Sequence, residues 1–262
     1  MLTEQAREFR TGFDSVWQSS LVVIPALNEE LTVAGVVREL RHRGFERIRV
    51  IDNGSTDRTA ERARAAGAEV FSEPHRGYGR ACRRGLSNLP RGVAWILFCD
   101  ADGSDDLHDV DLMIEAAESD ADLVLTNRFA TKSGRVAMTM IQRLGNRFVS
   151  RLIQAGWRFR FADFGPLRLI RRQALEDLDM RERAFGWNAV MQIRAVEAGL
   201  RIKEVPVRYR PRQGGKSKIS GNVLTAVCAG FGILQAVARL YFRRSGSAGG
   251  APAFRQRKAG PT

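Results

Sequence analysis

The feature that most constrains the fold is a repeated order of short apolar run, polar turn and amphipathic stretch through the first half of the chain. Leu21–Ile24 is such a run, and residues 29–43 after it place apolar side chains at helical spacing. Strands are expected at 21–24, 49–51, 69–71, 94–99 and 122–126, with helices at 29–43, 59–66, 79–89 and 109–118. Strict alternation of this kind predicts an α/β fold with a mainly parallel, doubly wound sheet.

Polar clusters follow three of these strands: one begins at Pro25, one at Asp52 and one at Asp100. Ligands of doubly wound sheets bind beyond the carboxyl ends of the strands. We therefore expect the three clusters to converge on one cleft.

The second half is less regular. We expect a basic helix over 136–155, an extended segment over 163–170, a helix over 187–198 and a strand over 201–210. The expected organisation is an N-terminal extension (1–18), one α/β domain (19–220), an amphipathic helix (221–244) and a disordered basic tail (245–262).

Charge and cysteine content limit the classes of function. Hydrophobic residues make up 44%, which is enough for a packed core, and Lys plus Arg outnumber Asp plus Glu by 42 to 29. The resulting net charge of +13 indicates an anionic partner: nucleic acid, anionic lipid or a phosphorylated substrate. Three widely spaced cysteines and the absence of a signal-peptide pattern predict reduced thiols and a cytoplasmic location.

The most informative motif is Asp100-Ala101-Asp102, at the end of an apolar strand. Two carboxylates in this position suit a hard divalent cation, Mg²⁺ or Mn²⁺, that keeps open positions for phosphate oxygens. Spacing alone equally allows acidic residues that only solvate a loop, an alternative that extends to Asp105, Asp106 and Asp109. The cluster beginning at Asp52 can bind a nucleobase or ribose, or can form only a turn and a helix cap.

Together the motifs resemble the family 2 glycosyltransferases, which have the GT-A nucleotide-diphospho-sugar transferase fold. Residues 23–29, 52–57 and 100–102 carry this resemblance. The chain looks most like the branch containing dolichol-phosphate mannosyl- and glucosyltransferases, through residues 122–128, 163–175 and 204–217. The resemblance covers roughly residues 20–220.

The resemblance implies roles for particular residues. Asp52 looks like the base-binding aspartate, and Asp100 and Asp102 look like the metal ligands, with Ser104 as the third where many relatives have glutamine. Asn53 replaces a common second aspartate. The nucleotide-binding set implied is Pro25, Leu27, Glu29, Asp52, Gly54, Gly77, Asp100 and Ala101.

Cations acquire a role from the same resemblance, because a lipid phosphate attacking a sugar diphosphate brings two anions together. The catalytic set expected is Arg128, Asp102, Arg143 and Arg168, with Arg212, Lys216 and Lys218 in a lid over the diphosphate. In so basic a chain, a solvated surface role is the alternative for each arginine. An ionised acceptor needs no general base; Asp163 would serve as one if the acceptor were an alcohol.

Residues 222–242 form the longest apolar segment. Gln235 and Arg239 would be costly at the centre of a bilayer, so a helix lying on the cytoplasmic face of an anionic membrane is favoured over one that spans it. Burial against the catalytic domain is the third possibility.

The function expected is transfer of a hexose, mannose or glucose, from a UDP- or GDP-sugar to a polyprenyl or dolichyl phosphate, with inversion. The alternative is a family member that uses a lipid alcohol or a saccharide as acceptor. A sugar nucleotidyltransferase would need a Gly-rich, Arg-containing loop in place of residues 25–29. No nucleic-acid partner is expected, because such binding leaves the acidic motifs unexplained; a membrane-protein partner is left open.

Overall fold

The computed structural model describes residues 16–212 and 223–246, with side chains of the last helix described over 230–242. The strands in this part of the chain are β1 (Ser20–Ala26), β2 (Arg47–Asp52), β3 (Glu69–Ser72), β4 (Trp95–Phe98), β5 (Leu123–Asn127), β6 (Arg168–Arg171) and β7 (Ile202–Pro206). The helices are α1 (Val33–His42), α2 (Thr59–Ala65), α3 (Tyr78–Gly85), α4 (Val110–Glu118), α5 (Lys132–Ala137), α6 (Met140–Trp157), α7 (Arg172–Asp177), α8 (Trp187–Glu197) and α9 (Val223–Gly246). The expected terminal extension up to residue 15 and the tail beyond 246 lie outside the described residues.

The strands form one sheet in the order β3-β2-β1-β4-β6-β5-β7. Strand β6 runs antiparallel to both of its neighbours, β4 and β5, and the other pairings are parallel. The mainly parallel α/β architecture is thus confirmed. The antiparallel insertion of β6 is not visible in the sequence, because an apolar run does not encode its direction.

Side chains on the two faces of the sheet build two cores. In β1, Val22 and Ile24 belong to one core, with residues of α1, α2 and α4, while Leu21 and Val23 belong to the other. The second core also contains buried residues of α3, α6, α8 and α9. This alternation is what a strand covered on both faces requires.

Strand β1 extends two residues beyond the predicted end at Ile24 and includes Pro25. Pairing with β4 stops at Val23, whose carbonyl accepts the Cys99 N–H. The Pro25 nitrogen, two residues further, points to the same side, where β4 no longer continues. The proline therefore removes no ladder hydrogen bond, and the chain pairs with β2 as far as Ala26.

The predicted basic helix over 136–155 is divided into α5 and α6. The break is at Thr139, whose extended backbone begins α6 with a capping box: its hydroxyl accepts the Gln142 N–H, and the Gln142 side chain accepts the Thr139 N–H. The short helix α7 was not predicted, because its six residues immediately follow β6 without a turn signal.

Helix α9 packs against the α/β fold. Ala236 and Val237 are buried in the second core, and Tyr241 stacks edge-to-face on Trp157 of α6 with centroids 6.1 Å apart. Of the three sequence-based possibilities for this segment, burial thus holds for one face of the helix, while Phe231 and Phe242 remain exposed. No helix within the described ranges has the length and apolar character needed to cross a bilayer.

Candidate active site

The carboxyl ends of β1, β2 and β4 meet at one edge of the sheet, as the sequence predicted. Ala26, at the end of β1, pairs with Asp52, at the end of β2. Asp100 lies two residues beyond β4, which pairs with β1 on its other side. The three polar clusters therefore share one rim of the fold.

The loops after β1 and β2 are tied together by hydrogen bonds. The backbone N–H of Asn28 donates to the Ser55 hydroxyl at 2.9 Å, and that of Glu29 donates to the Thr59 hydroxyl at 2.7 Å. In return the Asn28 side chain accepts the Thr56 N–H at 2.8 Å. Asn28 has a left-handed backbone (φ 51°), a conformation that asparagine tolerates better than most residues. Pro25 and Leu27, half-buried beside these loops, stay predicted nucleotide contacts.

The hydrogen bonds of Asn53 show why this position holds asparagine in place of the common second aspartate. Its side-chain nitrogen donates to the carbonyls of Glu73 and His75 at 2.9 and 2.8 Å, and its side-chain oxygen accepts the Gly77 N–H at 2.8 Å. An aspartate has no N–H to donate to two carbonyls, so the amide is the group that this loop requires. Asp52 accepts the Ser55 N–H at 3.0 Å through one carboxylate oxygen.

Glycines shape this rim in different ways. Gly54 has a left-handed backbone (φ 80°) in the turn after β2. At Gly77, a Cβ would collide with the backbone carbonyl of Arg183. The close approach at Gly77 is therefore made by protein backbone, and its contact with a nucleotide stays a prediction.

Gly79 has the same kind of neighbour and offers a stability test. A Cβ there would lie 2.5 Å from the Glu182 carbonyl oxygen, whereas one at Gly145 in α6 would meet nothing within 4 Å. We expect Gly79→Ala to lower the free energy of unfolding by about 1–3 kcal/mol through overpacking. Gly145→Ala should instead raise it by roughly 0.5–1 kcal/mol through helix propensity. Urea unfolding of both variants checks this; equal effects would contradict the close contact.

Carboxylates gather beyond β4. Burial raises the pKa of Asp100 well above its usual value, and the negative charges of Asp102, Asp105 and Glu29 raise it further. Burial, followed by the charge of Asp102, raises the pKa of Asp105 to about 7. One oxygen of Asp105 is buried without a hydrogen-bond partner among the described residues. Four acidic groups that repel one another define a site that favours a cation.

Two sequence neighbours of Asp102, Ser104 and Ala101, have different roles at this site. The Ser104 hydroxyl donates to one Asp102 oxygen at 2.6 Å, and the Ser104 backbone N–H donates to the same oxygen at 2.9 Å. Ser104 thus orients Asp102, and its role as a third metal ligand stays a prediction. Ala101 is 2% exposed with its methyl group in the core, so only its backbone faces the rim.

The alternative that Asp105, Asp106 and Asp109 only solvate a loop does not hold. All three are buried. Arg208 contacts both Asp109, at 2.8 Å, and Asp106, at 3.3 Å, and Arg210 contacts Asp106 at 2.9 Å. The arginines following β7 supply the charge that lets Asp106 and Asp109 lie inside the protein.

Asp105 makes stability depend on pH. Its folded-state pKa is raised to about 7, so the folded protein binds this proton more tightly than the unfolded chain does. The contribution of this bound proton to the stability of the folded state is complete below the unfolded-state pKa of about 4 and is lost as the pH rises through about 7. In metal-free protein, Asp105→Asn should therefore stabilise more at pH 8 than at pH 5 in urea unfolding. Exposed Asp111→Asn is the control variant. If Asp105→Asn changes the free energy of unfolding equally at both pH values, the raised pKa of Asp105 is contradicted.

Arg212 connects two of the acidic groups. Its guanidinium donates to Asp102 at 3.3 Å and forms an ion pair with Glu29. A predicted lid residue thus already touches the predicted donor site. Lys216 and Lys218, the other expected lid cations, lie outside the described residues.

Arg128 forms a buried, bidentate ion pair with Asp163, with N–O distances of 2.7 and 2.8 Å. The Arg128 backbone N–H also donates to Asp163, and the guanidinium lies 4.8 Å from the Tyr209 ring centroid. Asp163 raises the pKa of Arg128 and outweighs the effect of burial. Because both Asp163 oxygens are engaged and the residue is 1% exposed, Asp163 is not presented as a base to an alcohol.

Arg168 and Arg143 are held by backbone carbonyls. Arg168 is fully buried and donates to Gly165, Pro166 and Asn188, and burial lowers its pKa to about 10. The Arg143 guanidinium bonds to carbonyls at the C-terminal end of α5. These contacts give both residues a structural role, and the catalytic roles expected of them stay predictions.

A group of potential metal ligands that the motifs did not suggest is formed by Glu39, Asp106 and His108. Asp106 already pairs with Arg208 and Arg210, and His108 is exposed. Two arginines on one carboxylate oppose binding of a further cation. The pair after β4 is therefore the better metal site by donor chemistry.

Tyr209 and Glu204 were missed by sequence reasoning. Tyr209 bridges to Asp105 in the backbone and covers Arg128, and burial raises its pKa to about 12. The Glu204 side chain accepts the Ala162 N–H at 2.9 Å beside Asp163. Both lie in the predicted last strand and in residues 204–217, which carry part of the resemblance, but neither was assigned a role from the sequence.

A seven-stranded α/β sheet with an acidic pair beyond its central strand defines a nucleotide-sugar transferase of the GT-A type. The chain belongs to the family 2 glycosyltransferases, since residues 21–179 match the family model "Glycosyl transferase family 2". It is 36% identical over 208 residues to a protein of Mycobacterium tuberculosis named only as an uncharacterized glycosyltransferase, covering 79% of this chain and 93% of that one.

Two further comparisons bear on substrates and fold. A dolichyl-phosphate hexose transferase of Haloferax volcanii is 30% identical over 196 residues, covering 74% of this chain and 83% of the relative. Glucosyl-3-phosphoglycerate synthase of M. tuberculosis, solved with Mn²⁺, UDP-glucose and phosphoglyceric acid, superposes with a TM-score of 0.69. The identity there is 20%, over 89% of this chain and 85% of that one, which shows a shared fold.

Proposed function

We propose that this glycosyltransferase moves a hexose, mannose or glucose, from a UDP- or GDP-sugar to a polyprenyl or dolichyl phosphate. The observation that carries the proposal is the carboxylate cluster beyond β4, where Arg212 contacts both Asp102 and Glu29. Burial, and then the charges of Asp102, Asp105 and Glu29, raise the pKa of Asp100 in this cluster. Such self-repulsion is costly unless a cation and its ligand complete the site.

The donor would lie across the rim of β1, β2 and β4. Asp52 would accept hydrogen bonds from the base, and the linked loops at Asn28 and Ser55 would hold the nucleoside. Asp100 and Asp102 would hold Mg²⁺ or Mn²⁺, as their paired oxygen ligands suit either ion. When bound, the metal neutralises charge on the departing nucleoside diphosphate. Arg212 is placed to exchange its carboxylate partners for the diphosphate.

The acceptor phosphate is ionised near neutral pH, so attack needs no general base and gives inversion in one displacement. This fits a site in which both oxygens of Asp163 are bonded to Arg128. The cation at Arg128 would offset the charge of the incoming phosphate. The similarity to a dolichyl-phosphate hexose transferase supports the same acceptor class.

A lipid acceptor requires access to a membrane. We propose that the protein works peripherally at the cytoplasmic face, on an anionic lipid surface. The net positive charge of the chain supports this.

A matrix of donors and acceptors tests the proposal. Purified protein with Mn²⁺ is incubated with radiolabelled UDP- or GDP-hexoses and a short-chain polyprenyl phosphate, and lipid-linked sugar is counted. One donor should give product, and EDTA should abolish it. Phosphoglycerate, a polyprenol and a saccharide are the alternative acceptors. Turnover only with one of these alternative acceptors, or no turnover with any acceptor, would refute the lipid-phosphate assignment.

A further inference from the structure

Helix α6 exposes an apolar face where a surface helix usually carries polar residues. Its inward side is formed by Val149, Ser150, Ile153 and Trp157. The outward apolar side chains, with their exposed fractions, are Met140 (75%), Ile141 (51%), Leu144 (59%), Phe148 (52%) and Leu152 (37%). Leu144, Phe148 and Leu152 follow one another at intervals of four, so they form one row along the helix. We call these five residues the α6 outer face.

A row of cations runs beside this face. Arg147 and Arg151 each directly precede a member of the apolar row and are exposed. Helical geometry therefore places a basic stripe next to the apolar one. An apolar stripe that carries arginines on its flank has the chemistry of a helix lying at the surface of an anionic bilayer.

The surrounding sequence has the same one-sided charge. Residues 123–162 contain seven arginines and one lysine but no aspartate or glutamate. Of these cations only Arg128 has a carboxylate partner among the described ion pairs, namely Asp163. Helices α1 and α2 carry both signs, whereas residues 123–162, like residues 205–262, lack acidic side chains, so positive charge is locally concentrated in this segment.

We infer that the α6 outer face docks on an anionic phospholipid surface, with its apolar row among the acyl chains and Arg147 and Arg151 at the headgroups. This inference rests on the proposed function, which supplies the reason for docking. Helix α6 begins only twelve residues after Arg128, so docking of α6 would bring the lipid acceptor close to Arg128. It also changes the element expected to meet the membrane, since α9 has one face buried in the core.

Vesicle sedimentation of the full chain tests the inference with neither donor nor acceptor present. The probes are vesicles of phosphatidylcholine alone and vesicles containing about one third phosphatidylglycerol. Wild type should bind the anionic vesicles at least tenfold more tightly than the neutral ones, and raised salt should weaken this binding. Leu144→Gln/Phe148→Gln and Arg147→Glu/Arg151→Glu should each lower the partition coefficient at least tenfold.

Matched variants exclude general effects of polarity and charge. Leu112→Gln removes an exposed leucine from α4, and Arg62→Glu/Arg64→Glu reverses two exposed arginines of α2; both should bind vesicles as wild type does. Circular dichroism should be unchanged in all variants, since every replaced side chain is exposed. Loss of binding confined to Phe231→Gln/Phe242→Gln, or equal binding by all variants, would overturn the inference.

Two more measurements separate membrane docking from self-association and from catalysis. If light scattering shows a dimer that Leu144→Gln/Phe148→Gln dissociates, the face joins two copies and the inference fails. Transfer to a water-soluble short-chain acceptor without vesicles should be unchanged in the docking variants. Failure of sugar transfer in wild type with retained vesicle binding would refute the proposed function and leave docking intact.

Discussion

Asp102→Asn is expected to lower kcat/KM for sugar transfer by about a hundred- to a thousandfold. The amide keeps the size of the side chain but removes one of the two charges proposed to hold the metal on the donor diphosphate. Charge that develops on the leaving group then lacks its main stabilisation, and single losses of this type cost roughly 10²–10³ or more. The folded state should survive, because loss of a repelling charge relieves Asp100.

Initial rates over a range of Mn²⁺ concentrations, together with calorimetric Mn²⁺ titration with nucleoside diphosphate present, provide the measurement. His108→Ala is the control: it disables the other possible metal cluster and should leave both rate and Mn²⁺ affinity as in wild type. If Asp102→Asn stays within tenfold of wild type, or if His108→Ala abolishes the Mn²⁺ dependence, the metal does not bind beyond β4.

The parallel half of the fold could be predicted because each element there depends on local pattern. Leu21–Ile24 is apolar on both faces of a covered strand, and the residues after it repeat at helical spacing, so strand and helix follow directly. The direction of β6 depends instead on which strands lie beside it. That is decided by long-range packing between β4 and β5, which no local run of residues records.

The site divides in the same way. The position of Asp100 and Asp102 at the rim could be predicted because strand ends converge by topology, whereas the sequence left open whether Asp105 and Asp106 are solvated. The burial of Asp106 depends on arginines about one hundred residues later in the chain. The same holds for Asn53, whose amide has a reason only once the carbonyls of Glu73 and His75 are placed beside it.

A double-mutant cycle at the Arg128–Asp163 pair should separate the contribution of this ion pair to stability from its contribution to activity. Asp163→Asn leaves a buried guanidinium without its counter-charge and should lower the free energy of unfolding by about 3 kcal/mol. Adding Arg128→Met removes that unpaired charge, while the asparagine oxygen can still accept one of the two backbone N–H groups, from Arg128 and Phe164, that Asp163 accepts. The double variant should therefore regain about 1–3 kcal/mol over Asp163→Asn in urea unfolding.

Transfer rates decide what the pair does beyond stability. If Arg128 offsets the charge of the acceptor phosphate, the double variant should remain at least about a hundredfold below wild type in kcat/KM although its stability has recovered. The exposed pair Arg172–Glu176, 2.8 Å apart on α7, is the control, with a coupling of at most about 0.5 kcal/mol and no effect on rate. Activity that returns together with stability would make Arg128 a purely structural residue, because a cation needed at the reacting phosphate cannot be replaced by methionine.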